Sequence, residues 1–265
     1  MNFPFNRLRI KSLQNGHPVG WAGKATGASI VLLFVALTFY FSFHQLTYLW
    51  NWSAVYRYRR VLLSGWLVTI AISAASLLLS TFIGLVFALL RRMHFAAARY
   101  LSYLYVEAVR GTPLLVQILI FFYVVAEAFH VRNRYVAGVL ILSFFSGAYI
   151  SEIIRAGIES IGQSQLETAK AIGLTPPQTY RYVVFPQALR LALPPLAGQF
   201  VSLIKDSSLL SIIAVNEFTQ AARDINSITY STLESYLPLA AGYLILTLPI
   251  SLWTRTLEKK VRFET

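Results

Sequence analysis

Two adjacent ionisable residues, Lys205 and Asp206, stand inside an otherwise apolar stretch at residues 191–215. An ionisable side chain in hydrocarbon costs about 2.5–3.5 kcal/mol on insertion scales, so such groups usually face a bundle interior or a cavity. Adjacent helical residues point about 100° apart, which prevents a face-to-face pair. Either each charge finds a partner on another helix, or the helix is broken there and Ser207 and Ser208 satisfy backbone groups. We favour structural ion pairing for these two charges.

Two other sites combine a carboxylate with an arginine three residues later, Glu152 with Arg155 and Glu107 with Arg110. This spacing places both partners on one helix face and predicts local ion pairs. Gly111 and Pro113 follow directly and predict a kink or an irregular helix start.

Several kinds of chemistry are excluded by what the sequence lacks. With no cysteine there is no disulfide, thiolate metal site or cysteine nucleophile. The four histidines, His17, His44, His94 and His130, show no metal-ligand spacing. The GxxxxGK[ST], HExxH and GxSxG motifs are also absent, which argues against ATP binding by this chain and against a membrane protease or lipase.

The composition indicates an integral membrane protein. Apolar residues make up 56% of the chain and charged residues 13%, with a mean hydropathy of +0.58. Soluble domains have about 45–50% apolar and about 25% charged residues. The net charge of +12 then indicates cytoplasmic loops and anionic lipid surface rather than nucleic acid.

The chain is predicted to be all-α with about six transmembrane helices. A helix needs about 20 mostly apolar residues to cross the hydrocarbon, and six stretches qualify: 25–49, 61–90, 101–126, 135–151, 191–215 and 235–254. The first is too long for a signal-peptide core and is interpreted as an anchor or true span. With the N-terminus inside, most of the 23 Lys and Arg residues lie on the cytoplasmic side, so both termini are expected there.

One basic run violates that orientation rule. Arg57, Arg59 and Arg60 fall on the outer side, interleaved with the aromatic residues Trp50, Trp52, Tyr56 and Tyr58. Aromatic and basic residues together are typical of a segment at the membrane interface.

The longest segment between spans, residues 157–187, carries unusually clear local signals. Ser164 and Glu167 form a capping-box pattern, and Gly173 supplies a helix stop. Thr175 before Pro176, with Gln178 beyond, is a second helix start.

Pro186 bounds the second helix, because the residue before a proline avoids the helical conformation. Two short helices, roughly 164–172 and 176–184, are therefore predicted to form a rigid hairpin. An ordered loop of this kind is a candidate binding surface.

These motifs resemble those of one family. The stretch Glu-Thr-Ala-Lys-Ala-Ile-Gly at 167–173, followed by Tyr-Val-Val-Phe-Pro-Gln-Ala at 182–188, resembles the EAA loop of ABC importer permeases. Tyr-Val-Glu-Ala-Val-Arg-Gly-Thr-Pro-Leu-Leu-Val-Gln at 105–117 and Lys-Asp-Ser-Ser-Leu at 205–209 resemble the subgroup that imports polar amino acids. Thr168 replaces the first alanine of the loop motif, and Ala169 keeps the second.

The resemblance implies a fold and a division of the chain. Residues 61–265 would form the five-helix type I ABC importer core, with the coupling loop at about 157–187. Residues 25–60 would be an extra span with an aromatic and basic external segment, and residues 1–24 a basic cytoplasmic tail.

The resemblance also implies partners. The chain would be a permease subunit in a bacterial inner membrane, paired with an identical or related permease. A dimer of ATPase subunits, carrying ATP and Mg, would dock on the loop, and an extracytoplasmic binding protein would deliver the amino acid. The chain itself would bind no cofactor and catalyse no reaction.

Roles follow for the residues that match the family motifs. Glu167, Ala169 and Gly173, with Ser164 and Pro186, would form the ATPase-docking and coupling loop, where Ala169 and Ile172 share one face and Gly173 sets the helix angle. The candidate translocation pathway consists of Lys205, Asp206, Ser207 and Glu152, since a zwitterionic amino acid needs one anionic and one cationic partner. Arg110, Gly111 and Pro113 form the subgroup signature, where a bend would serve gating.

Two other classes of protein remain as alternatives. A self-sufficient secondary transporter or channel would use Lys205, Asp206 and Glu152 for ion coupling, and it predicts internal repeats with broken helices in matching positions. A membrane-bound enzyme would need one of the absent motifs. The cytoplasmic hairpin favours the ATPase-driven permease, because a channel has no need of one.

Overall fold

The computed structural model describes residues 21–45 and 48–261, and within them it contains helices and connecting turns but no β-strand. Residues 1–20, which make up most of the predicted basic tail and include His17, lie outside the described residues. Arg262 lies outside them as well. The α-helices in chain order are α1 (Trp21–His44), α2 (Trp52–Arg57), α3 (Arg59–Leu90), α4 (Ala96–Arg110), α5 (Leu114–Ile120), α6 (Arg134–Glu159), α7 (Gln163–Ala171), α8 (Pro176–Thr179), α9 (Phe185–Asp206), α10 (Phe218–Thr229) and α11 (Thr232–Val261).

The prediction of about six spans is confirmed. Five helical stretches among the described residues are long and apolar enough to cross a membrane: Ala25–His44, Arg59–Leu90, Arg134–Glu159, Pro176–Ile213 and Thr232–Lys259. A sixth span results if Ala96–Arg110 and Leu114–Ala126, which meet at a bend of 109°, count as one. The predicted bounds differ most at the fifth span, which begins at residue 176 rather than 191.

The chain divides into two compact units, up to Trp50 and from Asn51 onward. In the first unit, α1 exposes the side chains of residues 25–45, and the rings of Phe39 and Phe43 stack with their centroids 6.2 Å apart. An apolar helix without a polar face suits contact with lipid. The boundaries expected at residues 24 and 60 stay predictions.

The second unit is built around a close crossing of α3 and α6. A Cβ atom on Gly84 would lie 2.6 Å from Cγ2 of Ile150 and 3.0 Å from the carbonyl oxygen of Gly147. Gly147 is equally enclosed, because its own Cβ would lie 2.8 Å from Cγ2 of Ile83. The two backbones therefore approach where neither helix carries a side chain, as small residues permit in membrane helices.

Other glycines fix the helices that pack on α6. A Cβ on Gly138 would lie 2.9 Å from Cδ1 of Leu210, and one on Gly157 would lie 3.0 Å from the carbonyl oxygen of Ala188. Gly138, Gly147 and Gly157 therefore all lie at close helix contacts. Ser207–Ile213 continues α9 as a 3₁₀ turn, and Leu210 within it is fully buried in the apolar core.

A buried carboxylate joins three further helices. Glu217 is 0% exposed and begins α10 by accepting hydrogen bonds from the backbone N–H groups of Thr219 at 2.8 Å and Gln220 at 2.7 Å. Its Oε2 also accepts from the hydroxyls of Tyr243 in α11 at 3.1 Å and Thr69 in α3 at 3.5 Å. Burial raises the pKa of Glu217, and the N–H donors oppose that rise.

We predict that Gly84→Ala lowers the thermal unfolding midpoint of the detergent-solubilised chain. The new methyl group must displace Ile150 or the α6 backbone, and overpacking of this kind typically costs about 1–3 kcal/mol. Gly198→Ala is the matched control, since a Cβ there meets no atom within 4 Å and alanine is the better helix former. Equal midpoints for Gly84→Ala and the parent chain would contradict the close crossing.

Candidate functional site

In the hairpin at residues 157–187, the first helix ends at a turn formed by Gly173, as the sequence predicts. Gly173 has a φ of +81°. Its N–H donates to the carbonyl of Lys170 at 3.0 Å, and the N–H of Leu174 donates to the carbonyl of Ala169 at 3.0 Å. These two bonds form the Schellman motif, which ends α7 and turns the chain into α8. The predicted helix stop at Gly173 is confirmed.

The first arm of the hairpin begins earlier than predicted, and the Ser164 capping box is wrong. Gly162 has the extended conformation of an N-cap and α7 starts at Gln163, so Ser164 already lies inside the helix. The carbonyl of Ser164 accepts from the hydroxyl of Thr168 at 2.8 Å. Glu167 is exposed, and among the described residues it has no hydrogen-bond or ion-pair partner. Its carboxylate is therefore available to another molecule.

The second arm starts as predicted but does not end where predicted. The side-chain oxygen of Gln178 accepts from the backbone N–H of Thr175 at 2.8 Å, which caps α8. The helix then passes through a π-helical turn at Tyr180–Val184 directly into α9, so Pro186 does not end it. Proline is tolerated in the first turn of a helix, and the wider π turn before it accommodates its missing N–H.

The hairpin is consequently continuous with a span and tied to it. The amide of Gln187 in α9 donates to the side-chain oxygen of Gln165 in α7 at 2.7 Å, which fastens the first arm to the base of the second. Helical structure runs without interruption from residue 176 to residue 213. A displacement of the hairpin therefore moves the fifth span with it.

The two small and apolar residues of the hairpin face different surroundings. Ala169 is 3% exposed, whereas Ile172 is 71% exposed. The expectation that they share a partner-facing side is wrong for Ala169, whose small size permits close packing inside the chain itself. Ile172 at the turn, Tyr182 on the second arm and Phe185 at the start of α9 are apolar side chains that are exposed.

The bend at the Gly-Thr-Pro sequence is held by one buried side chain. The amide nitrogen of Gln117 donates to the carbonyls of Val109 at 2.7 Å and Thr112 at 3.1 Å, and it lies 2.8 Å from the Thr112 hydroxyl. A break in a membrane helix frees carbonyl groups that need such donors. The kink predicted at Gly111 and Pro113 is confirmed, as the 109° bend.

Sequence patterns did not single out Gln117. The signal that could find it is a lone amide in an apolar run, four residues after a proline that breaks the helix. Its side chain is 7% exposed, so an unpaired amide there would be costly.

The carboxylate of Glu152 forms ion pairs with three arginines that lie near the C-terminal ends of three helices. Glu152 in α6 pairs with Arg155 at 2.8 Å, with Arg91 after α3 at 3.1 Å, and with Arg110 at the end of α4 at 3.6 Å. Arg155 also pairs with Glu159. The predicted Glu152–Arg155 pair is confirmed, and two partners from other helices join it.

The predicted pair between Glu107 and Arg110 is wrong. The bend after Arg110 turns its side chain toward α6, where its Cζ also lies 5.5 Å from the centroid of the Tyr149 ring. Among the described residues, the ion pair of Arg110 is the one with Glu152. Sequence spacing cannot reveal this, because the two residues lie on different helices.

Three of these charged side chains, Arg110, Glu152 and Arg155, line a cavity between α6 and α9. The cavity has a volume of about 470 Å³, and its wall includes Arg110, Glu152, Tyr149, Arg155 and Gln199. The Gln199 amide donates to the hydroxyl of Ser146 at 3.1 Å, which joins the two helices at its inner end. Guanidinium and carboxylate groups facing one small cavity can hold a ligand with both charge signs.

Lys205 and Asp206 are not held by structural ion pairs, contrary to the interpretation favoured above. Among the described residues neither has a carboxylate or ammonium partner within 4.0 Å. Instead α9 ends at Asp206 and tightens into the 3₁₀ turn. The Ser207 hydroxyl donates to the carbonyl of Ile204 at 2.8 Å and that of Ser208 to Lys205 at 2.6 Å, so the serines satisfy backbone carbonyls as the second alternative predicts. The helix itself is not broken there, because it changes from α to 3₁₀ geometry without a gap.

Within the described part of the chain no cluster of histidine, aspartate and glutamate side chains could hold a metal ion.

Comparisons with known proteins agree with this architecture. Residues 80–263 match the family model described as binding-protein-dependent transport system inner membrane component. The glutamine transport system permease protein GlnP of Escherichia coli (strain K12) is 35% identical over 214 residues, which cover 80% of this chain and 98% of the relative. The L-cystine transport system permease protein TcyB of Bacillus subtilis (strain 168) is 37% identical over 203 residues, 76% of this chain and 86% of the relative.

A solved structure adds the fold. A crystal structure described as an amino acid ABC transporter with histidines matches with a TM-score of 0.75 and 32% identity, covering 80% of this chain and 100% of that one. The chain therefore belongs to the family of binding-protein-dependent transport system inner membrane components, among the amino acid ABC transporter permeases.

Proposed function

We propose that this chain is the membrane-spanning subunit of an importer that moves polar amino acids across a bacterial inner membrane. Separate ATPase subunits bind ATP and Mg and dock on the hairpin at residues 157–187, and a second permease subunit completes the pathway. An extracytoplasmic binding protein delivers the amino acid. The observation that carries this proposal is the ordered hairpin that continues without a break into the fifth span.

The surface of the hairpin suits a protein partner. The exposed side chains of Ile172, Tyr182 and Phe185 supply apolar contact, and the carboxylate of Glu167 has no ion-pair partner in the described part of the chain. An apolar patch with a charged rim is the usual composition of a protein interface. Both chain termini lie on the same, cytoplasmic, side as the hairpin in this proposal, as the basic residues favour.

The geometry favours this function over a self-sufficient secondary transporter. That alternative assigns Lys205, Asp206 and Glu152 to ion coupling. It gives the ordered hairpin at residues 157–187 no task. The relatives are named for glutamine and cystine transport, which supports amino acids with polar side chains as cargo.

We place the amino acid in the cavity beside Glu152 and Arg110. The Arg110–Glu152 distance of 3.6 Å is the longest of the three ion pairs, and the Arg110 side chain is the most exposed partner at 44%. A zwitterion can displace this weak contact, with its carboxylate on Arg110 and its ammonium group on Glu152. Further along the pathway are Lys205, Asp206 and Ser207, where α9 changes to the 3₁₀ turn.

We predict that Gly173→Arg leaves the chain in the membrane but abolishes uptake and ATPase co-purification. A side chain at a φ of +81° costs about 1–2 kcal/mol, so the turn opens while the spans stay folded. Glu167→Lys, which reverses one exposed charge, should also abolish uptake. The measurement is amino acid uptake, with the partners retained in mild detergent identified by mass spectrometry.

The matched control for Gly173→Arg is Gly162→Ala in the same hairpin. Gly162 has an ordinary φ of −61°, and a Cβ there would meet only the Ser164 hydroxyl at 3.7 Å. Normal uptake is expected for this control. Normal uptake and near-equal ATPase stoichiometry in Gly173→Arg and Glu167→Lys would refute docking at the hairpin.

We predict that Glu152→Gln weakens the apparent affinity for the amino acid by at least about tenfold. A hydrogen bond to a charged group contributes about 1.5–3 kcal/mol, and the neutral amide cannot balance three arginines. Uptake rates over a range of amino acid concentrations, in proteoliposomes of the complete transporter, give the KM. Glu159→Gln is the control, since Glu159 is 52% exposed and, among residues 21–45 and 48–261, has Arg155 as its one ion-pair partner. Equal KM values for the two variants would contradict the assignment.

A further inference from the structure

The proposed transport cycle leaves the basic run at the start of α3 without a role. The side chains of Arg57, Arg59 and Arg60 are all exposed. Among residues 21–45 and 48–261, no carboxylate lies within ion-pair distance of any of the three. Like charges this close repel one another, so an anion from outside the chain would relieve the repulsion.

An apolar groove opens directly beside Arg59. It lies between α3 and α11 and has a volume of about 500 Å³. Its wall includes Leu63, Trp66, Gly242 and Ile245, and Arg59 is the charged residue among its lining. Leu63 and Ile245 are 59% and 65% exposed, so the groove faces outward from the helical bundle.

The groove runs from the membrane interface into the hydrocarbon. Both of its helices are candidate spans, and they begin at the same face of the unit, since the backbone N–H of Asn51 donates to the side chain of Glu234. Trp66 lies seven residues beyond Arg59, or about 10 Å deeper at 1.5 Å per residue. A ligand with a charged head at Arg59 would thus extend an apolar chain past Trp66.

The groove has an apolar floor because its polar groups are satisfied. The indole N–H of Trp66 donates to the carbonyl of Gly242 at 3.3 Å. A Cβ on Gly242 would lie 2.4 Å from the ring of Phe218, so this ring packs directly against the Gly242 backbone. The ring of Trp66 therefore presents carbon atoms to whatever occupies the groove.

The guanidinium of Arg59 is positioned and still has donors to offer. Its Cζ lies 4.3 Å from the centroid of the Tyr56 ring, and Nη1 donates to the Tyr56 carbonyl at 3.0 Å. A guanidinium has five N–H donors in a fixed fork that matches phosphate oxygens. Arg60, the next residue, adds a second positive charge.

We propose that this groove binds one anionic phospholipid, with its phosphate on Arg59 and Arg60 and an acyl chain along Leu63, Trp66 and Ile245. Charge complementarity favours an anionic headgroup, and the exposed apolar lining favours an acyl chain over an acidic segment of a protein.

Brominated lipids test the proposal, because bromine quenches the fluorescence of a tryptophan in contact with it. The full chain is placed in nanodiscs with increasing fractions of brominated phosphatidylglycerol or brominated phosphatidylcholine. The signal of Trp66 is the difference between the parent chain and Trp66→Phe. For each lipid, the brominated fraction that halves the Trp66 fluorescence is determined. This fraction should be at least about threefold lower for the anionic lipid than for the zwitterionic lipid.

Arg59→Gln combined with Arg60→Gln should remove that preference. The matched control is Arg132→Gln, an exposed arginine on another loop, which should keep it. Equal quenching by the two lipids in the parent chain, or an unchanged preference in the double variant, would overturn the proposal. Absence of Trp66 quenching by both lipids would also overturn it, because protein would then fill the groove. If Trp66→Phe does not fold, native mass spectrometry of phosphatidylglycerol retained by the double variant and the control gives the same decision.

Discussion

The carboxylate of Glu152 holds together the ends of α3, α4 and α6 at the root of the hairpin. Its three arginine partners come from three different helix ends. An exposed ion pair contributes only about 0–1 kcal/mol, but here one 17% exposed carboxylate is shared among all three partners. Removing it would leave Arg91 and Arg110 without their carboxylate partner and Arg155 with Glu159 alone among the described residues, and this makes Glu152 less replaceable than any single arginine.

The position of Glu152 relates the cavity to the hairpin. Glu152 lines the proposed amino acid site and lies seven residues before Glu159, the last residue of α6. Beyond α6 the chain enters the hairpin, whose second arm continues into α9, which forms another wall of the same cavity. Closure of ATPase subunits on the hairpin would therefore act on both helices around the amino acid, as rigid-body movement of packed helices requires.

Features set by local chemistry could be predicted from the sequence. Charge-free runs such as 61–90 gave the spans, Gly173 gave the turn, and Gly111 with Pro113 gave the bend. Features set by tertiary contact could not. The partner of Arg110 lies on another helix, and the buried acceptor Glu217 is not a residue typical of helix starts. The predicted helix end at Pro186 is wrong because the rule that proline ends a helix does not anticipate a π turn before it. The predicted capping box at Ser164 is wrong because the actual N-cap is Gly162, a residue with no side chain.

In the complete transporter, an ATPase subunit would cover the hairpin at residues 157–187. Because the chain contains no cysteine, Ile172→Cys introduces a unique thiol on the most exposed apolar residue of α7 and its turn. Maleimide labelling of this thiol is compared in membranes that contain the chain alone and in membranes that contain the assembled transporter. We expect the introduced thiol to be labelled rapidly in the chain alone and to be strongly protected from labelling in the assembled transporter. Equal labelling in both membranes would contradict it.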